Sequence, residues 1–300
     1  MIWNGVFPAV TTKFTANDAL DLALFGKNID AQLDAGVNGI ILGGTLGEGS
    51  TVSTAEKNEL LAYSLEKVNN RVPVVMNIAE QVTKDAEFAA RKAQDLGAKG
   101  LMLLPPMRYK ADQRETLEYL KAVAGASDLP IMIYNNPVDY GIEVTIDMFE
   151  ELLKIDTIQA VKESTRDVSN VTRLKNAFNN RLKILCGVDT LAMESLVMGA
   201  DGWVAGLVCA FPRETVVIYE LIQQNRLEEA REIYRWFLPL LELDINAKLV
   251  QNIKLAEEAT GIGSAFVRPP RLPLTGEELS QVKRVITQGL ASRPDLKKYC

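Results

Sequence analysis

Lys162 and Tyr134 are the residues whose types and positions suggest chemistry. Lys162 closes the apolar run Ile158-Gln-Ala-Val-Lys162, and Tyr134 closes the run Pro130-Ile-Met-Ile-Tyr134. Apolar runs that end in turn-forming residues read as buried strands, so both side chains fall at C-terminal strand ends. Burial disfavours the charged form of a lysine and lowers its pKa, leaving an amine that can attack a carbonyl carbon and form a Schiff base. A strand-end lysine can also lay its methylenes on the core and reach water, and a tyrosine there can be a plain aromatic at a barrel mouth. The composition bears on the choice, because the 300 residues include no histidine. Ser-His-Asp and Cys-His catalysis are excluded, as are metal sites built on imidazole. No acidic cluster suggests a carboxylate-held magnesium either, so no metal is expected. Proton transfer then falls to Tyr, Lys, Glu, Asp or water, and a phenol beside an amine is a plausible shuttle.

Something must hold that pair together, and the chain supplies a repeating frame. Apolar strand patterns are expected at 6–12, 39–43, 72–78, 100–105, 130–134, 158–162, 182–187 and 202–206. Helical spacing follows each of them, over 21–35, 53–68, 83–96, 113–126, 145–155, 168–177, 190–198 and 214–224. Gly36 and Gly97 fall just past helix ends, and Ser53-Thr-Ala-Glu56 is a capping box. Continuous apolar strands alternating with helices imply parallel pairing with both faces covered, and eight such units imply a closed α/β TIM barrel, (β/α)8. The barrel is expected over residues 1–225. Residues 226–300 read as a C-terminal helical extension packed on it, with helices at 227–243, 247–259 and 277–290.

The bulk composition sets outer limits. Apolar residues at 47% and charged residues at 24% suit a soluble globular enzyme, and a net charge of −6 argues against nucleic acid as a partner. No apolar stretch reaches the length of a membrane span. The start, Met1-Ile-Trp-Asn-Gly-Val-Phe-Pro8, lacks a signal-peptide pattern. Three cysteines without framework spacing (Cys186, Cys209 and Cys300) fit a reducing compartment. A cytoplasmic enzyme acting on a small molecule is expected.

Barrel enzymes place their chemistry at the C-terminal strand ends. Besides Lys162 and Tyr134, those ends carry Gly44-Thr45-Leu46-Gly47-Glu48, Gly187-Val188-Asp189 and Gly202-Trp203-Val204-Ala205-Gly206. The glycine-rich loop over 43–49 matches neither the dinucleotide nor the Walker fingerprint. Small residues and free N–H groups at a helix N-terminus would suit a bound carboxylate.

These segments, with Tyr134-Asn135-Asn136-Pro137 and Val161-Lys162-Glu163-Ser164, resemble the dihydrodipicolinate synthase/N-acetylneuraminate lyase superfamily over nearly the whole chain. The resemblance implies a class I Schiff-base enzyme acting on a 2-oxo acid or cyclic imino acid, without a cofactor beyond the covalent imine. It implies Lys162 as the imine-forming residue and Tyr134 as the acid/base beside it. Thr45, with the backbone N–H groups of Thr45 and Leu46, would hold the substrate carboxylate. Val204 would line the pocket and Asp189 would bind a substrate hydroxyl, and a homotetramer is implied as the assembly.

Departures from the family pattern shape the expected substrate. Leu46 stands where dihydrodipicolinate synthases carry a second hydroxyl, and Arg108 with Tyr109 where they carry a tyrosine. Asp139 stands where they place an arginine for the incoming carboxylate, and an acid there should repel a second anion. With Asp139 and Tyr109 facing the distal substrate, the expected activity is that of a 1-pyrroline-4-hydroxy-2-carboxylate deaminase. That branch is suggested by similarity of Tyr234–Leu241 and Arg268-Pro-Pro-Arg271 to sequences of hydroxyproline breakdown. Aldol cleavage or dehydration of a 2-keto-3-deoxy sugar acid is the alternative. The 4-hydroxy-tetrahydrodipicolinate synthase activity comes last among the enzymes, and a non-catalytic sensor is the reading outside them.

Overall fold

The computed structural model describes residues 3–299. Eight short strands run in one parallel sheet: β1 (Gly5–Pro8), β2 (Ile40–Leu42), β3 (Val74–Ile78), β4 (Gly100–Leu103), β5 (Ile131–Asn135), β6 (Ile158–Glu163), β7 (Lys183–Cys186) and β8 (Gly202–Ala205). From β2 to β8 each strand pairs with its sequence neighbour, and β1 pairs with β8. The ring closes between β1 and β2 through a parallel bridge from Ala9 to Ile41, where Val10 N–H donates to the Ile41 carbonyl at 3.0 Å. The result is a (β/α)8 barrel. Helices cover the outside of the sheet and side chains fill the inside, which is why the strands read as unbroken apolar runs. Ile40, Val75, Leu101, Ile133 and Val161, for example, are all fully buried.

The surrounding helices are α1 (Leu22–Ala35), α2 (Thr54–Val68), α3 (Thr83–Leu96), α4 (Gln113–Ala124), α5 (Pro137–Tyr140), α6 (Ile146–Leu152), α7 (Ser169–Phe178), α8 (Ala192–Val197) and α9 (Pro212–Gln223). Their ends follow the local chemistry. Asp21 accepts from Leu24 N–H at the start of α1, and Gly36 ends it with φ 91°. Ser53 and Glu56 form the reciprocal capping box of α2. One helix was not expected. Asn136 caps α5, Pro137 opens it and Gly141 (φ 73°) stops it, so the chain after β5 coils for one turn between the strand and the helix expected over 145–155.

Three further helices follow the barrel: α10 (Leu227–Leu241), α11 (Leu249–Ala259) and α12 (Gly276–Ala291). Buried charge ties α11 to the barrel. Glu257 accepts from Thr11 Oγ1 at 2.7 Å and from Lys13 Nζ at 3.0 Å, all three side chains being buried. Lys254 pairs with Glu48 of the glycine-rich loop and also donates to the Phe266 carbonyl at 2.6 Å. Cys186 and Cys209 are buried and free. No helix among the described residues is long and apolar enough to cross a membrane.

Candidate active site

Strand register brings the two expected residues together. Tyr134 of β5 and Lys162 of β6 are direct partners across the parallel pair. Each lies one residue before its strand's end, since β5 closes at Asn135 and β6 at Glu163. Lys162 Nζ sits 4.0 Å from the centroid of the Tyr134 ring. Gly187, just past β7, makes room for it: a Cβ there would stand 2.6 Å from Lys162 Cγ and 2.7 Å from Cε. Both side chains open into a cavity of about 400 Å³ at the C-terminal ends of the strands.

Burial sets the protonation of the pair. It pushes the Lys162 amine below the ordinary lysine value, against the fields of Tyr140 and Asp244, which favour the charged form. It also pushes the Tyr134 phenol up to about 12, opposed by the Asn136 amide, which donates to the phenol oxygen at 3.2 Å. The arrangement is therefore a readily deprotonated amine beside a phenol that keeps its proton at neutral pH. That combination suits attack on a carbonyl followed by proton delivery to the departing oxygen.

A second tyrosine, overlooked in the sequence, completes the hydroxyl set. Tyr140, at the end of α5, packs edge-on against Tyr134 with ring centroids 5.6 Å apart. Its hydroxyl lies 2.8 Å from Thr45 Oγ1, and either group can donate. Tyr140 is likewise pushed up to about 12, first by burial and then by Tyr134. The signal for it was present, because an Asn-Pro opening and a Gly four residues after the Pro mark a one-turn helix that aims Tyr140 back at the site.

The glycine-rich loop lies across the cavity from these rings. Thr45, Leu46 and Gly44 line the cavity. Helix α2 begins only at Thr54, so the N–H groups expected from a helix N-terminus belong instead to the turns of the loop itself. Those turns are fixed from outside: Thr12 Oγ1 donates to the Gly47 carbonyl at 2.6 Å and Asn77 Nδ2 to the Gly43 carbonyl at 3.1 Å. Leu46 is buried, with its side chain against Gly206.

The remaining expected residues divide. Val204 lines the cavity. Asp189 is buried elsewhere and its carboxylate is already satisfied, accepting from Trp203 Nε1 at 2.9 Å, Leu207 N–H at 2.8 Å and Gly206 N–H at 3.2 Å. It ties the end of β7 to the turn after β8 instead of facing a substrate hydroxyl. Tyr109 is 57% exposed and stands outside the cavity of this chain. Asp139 lines the mouth, but not as a bare anion. It accepts from Asn136 Nδ2 at 2.8 Å and from Arg166 Nη2 at 3.2 Å. Arg166 itself lines the cavity in the left-handed conformation, with φ 64°. Neither Arg166 nor Asp244, which enters from the turn between α10 and α11, was anticipated.

Comparison with known proteins gives this geometry its context. A 4-hydroxy-tetrahydrodipicolinate synthase of Exiguobacterium sibiricum is 33% identical over 273 residues, covering 91% of this chain and 92% of that protein. The structure of the 4-hydroxy-tetrahydrodipicolinate synthase of Methylacidiphilum fumariolicum SolV superposes with a TM-score of 0.92 at 26% identity, over 99% of this chain and 98% of that one. A dihydrodipicolinate synthase of Bacillus anthracis superposes with a TM-score of 0.93 at 26% identity, over 98% and 100%. These relatives bear the name that was placed last among the expected enzyme activities, and they correct the expected deaminase. The expectation failed for a physical reason: it treated Asp139 as an unpaired charge, and Arg166 neutralises it. The Dihydrodipicolinate synthetase family pattern matches residues 3–289, and the chain belongs to that family.

Proposed function

We propose that the chain is a lyase that activates pyruvate as an imine on Lys162 and joins it to an aldehyde bearing a carboxylate. This is the reaction type of its 4-hydroxy-tetrahydrodipicolinate synthase relatives, for which the aldehyde is aspartate semialdehyde. Members of the family are class I Schiff-base lyases that use a lysine imine with pyruvate and no cofactor. The observation that carries the reading is the buried Lys162 amine above the Tyr134 ring, inside a cavity open to solvent.

In this reading the Lys162 amine adds to C2 of pyruvate. Tyr134 then delivers a proton to the carbinolamine oxygen, which leaves as water and yields the imine. The protonated imine draws electron density from C3, so loss of a C3 proton gives an enamine. The enamine carbon attacks the aldehyde carbon, forming the new C–C bond, and the aldehyde oxygen takes a proton. Thr45 and Tyr140, already within hydrogen-bond distance of each other, form a route for that proton. Loop N–H groups at Thr45 and Leu46 hold the pyruvate carboxylate. Arg166, the second cation lining the cavity, attracts the carboxylate of the aldehyde.

The test is borohydride reduction with pyruvate present, followed by intact mass measurement, and pyruvate consumption with aspartate semialdehyde. The wild type should gain one reduced pyruvyl group that Lys162→Ala lacks, and should consume both substrates together. An adduct of equal yield in Lys162→Ala would overturn the assignment.

A further inference from the structure

The proposed chemistry leaves Asp244 unused. This residue sits in the turn between α10 and α11, and its carboxylate lies over the face of Gly206. A Cβ on Gly206 would come within 2.5 Å of Asp244 Oδ1 and 2.9 Å of Leu46 Cδ1, so the acid occupies space that only a glycine leaves open. Gly206 has a carboxylate on each side. Asp189 accepts its N–H and is fully satisfied by the backbone and Trp203. Asp244 finds no side-chain hydrogen-bond or ion-pair partner among the described residues, and it faces the cavity together with Lys162, Tyr134 and Arg166. The other acid lining the cavity, Asp139, is taken up by Arg166 and Asn136.

A partly buried acid with no partner is costly unless something in the cavity completes it. Protein groups nearby do not. Lys162 contributes attraction at a distance, yet its amine is committed to the imine. Burial first, and then the field of Asp189, hold the Asp244 carboxyl well above the ordinary carboxylate range, against the pull of Lys162. A carboxyl held in this way takes up a proton more readily than an exposed one, and in that form it donates a hydrogen bond. It offers a bound carboxylate or hydroxyl an O–H instead of a like charge.

We infer that Asp244 is a specificity-determining residue that donates a hydrogen bond to an oxygen of the second substrate, on the cavity wall contributed by the C-terminal helices. The inference rests on the proposed reaction, since a second substrate is bound only after Lys162 holds the first. The ligand class is an aldehyde whose chain ends in an oxygen function, with a carboxylate favoured because Arg166 lines the same cavity.

The experiment separates the two readings. Wild type, Asp244→Asn and Asp244→Ala are each reduced with borohydride in the presence of pyruvate, freed of reagent and checked by mass for the adduct. Succinate semialdehyde and butanal are then titrated into each by calorimetry. All three proteins should carry the adduct. Succinate semialdehyde should bind Asp244→Ala about tenfold or more weakly than wild type, the scale of one lost hydrogen bond to a charged group. Asp244→Asn, which keeps an N–H donor, should stay within about threefold of wild type, and butanal should not distinguish the three. Equal binding of succinate semialdehyde to wild type and Asp244→Ala, whether strong or absent, overturns the inference. So does an Asn variant as weak as the Ala variant, or a matching loss for butanal. Failure of Asp244→Ala alone to take the adduct also overturns it, because the residue would then act in the first half-reaction. A wild type that takes no adduct overturns the proposed function, and the inference falls with it.

Discussion

The Arg166 guanidinium lies 3.2 Å from the Asp139 carboxylate, and this contact alters what the cavity mouth presents to a second substrate. From sequence, Asp139 is an acid where a cation is needed. In the fold, a cation reaches the same place from the neighbouring strand's loop, and about half of each side chain remains in contact with solvent. The acid acts as an anchor that holds the guanidinium in position, and the remaining N–H groups of Arg166 stay available to a ligand.

Removing each partner should have opposite effects. Arg166→Ala leaves Asp139 unpaired and should raise the KM for the aldehyde several-fold, consistent with about 1 kcal/mol for a solvent-exposed pair. Asp139→Asn frees Arg166 and should leave that KM unchanged or lower it. Steady-state kinetics with pyruvate saturating decides the matter, and a higher KM in both variants would show that the pair acts only as a brace.

Tyr134→Phe should fold normally and lose about two orders of magnitude in kcat, the usual scale for removal of a positioned acid. Tyr140→Phe removes the hydroxyl that meets Thr45 and should lose about tenfold, with the pyruvate adduct still forming. Comparing borohydride trapping with turnover in the two variants separates imine formation from the later proton steps.

The pH dependence of imine formation follows from the burial of Lys162. Only the neutral amine attacks, and the folded protein holds its pKa below the ordinary 10.5. The trapping rate should thus reach its plateau before pH 10.5 and fall as the pH drops through the lowered value. A rate still rising steeply at pH 10.5 would mean that the amine is not depressed.

Lys254 is the cation buried against Glu48, and burial lowers its pKa to about 8 despite that pair. Lys254→Met should destabilise the fold by about 3 kcal/mol, because it removes the buried counter-charge of Glu48 and leaves only the more distant Arg271, 3.8 Å away. The double variant with Glu48→Gln should recover much of that loss. Denaturant unfolding of the single and double variants provides the comparison.

Much of this was legible in the chain. Periodicity and caps located the eight strands and the helices between them to within a few residues, because parallel strands buried on both faces leave an unbroken apolar signature. The pairing of Tyr134 with Lys162 followed from their strand-end positions. What escaped depended on contacts between distant segments. Arg166 adopts a left-handed backbone conformation that no propensity assigns to arginine, and Asp244 meets Gly206 from 38 residues away in sequence. Tyr140 is a different case, since Asn136, Pro137 and Gly141 announced the turn that carries it. Asp189 was misjudged because a carboxylate at a strand end looks the same from sequence whether it faces a ligand or the backbone.

The turn bearing Asp244 and the helix bearing Lys254 and Glu257 are made only after every strand of the barrel. A nascent polypeptide that has released its barrel from the ribosome already holds Lys162 beside Tyr134, but Glu48 and Lys13 still lack their partners and one wall of the cavity is missing. The reactive amine is thus present before the enclosure that would restrict what reaches it. Competence should arrive after the barrel itself and all at once, when α11 docks. A chain stopped before residue 249 should be both unstable and open to any small carbonyl compound.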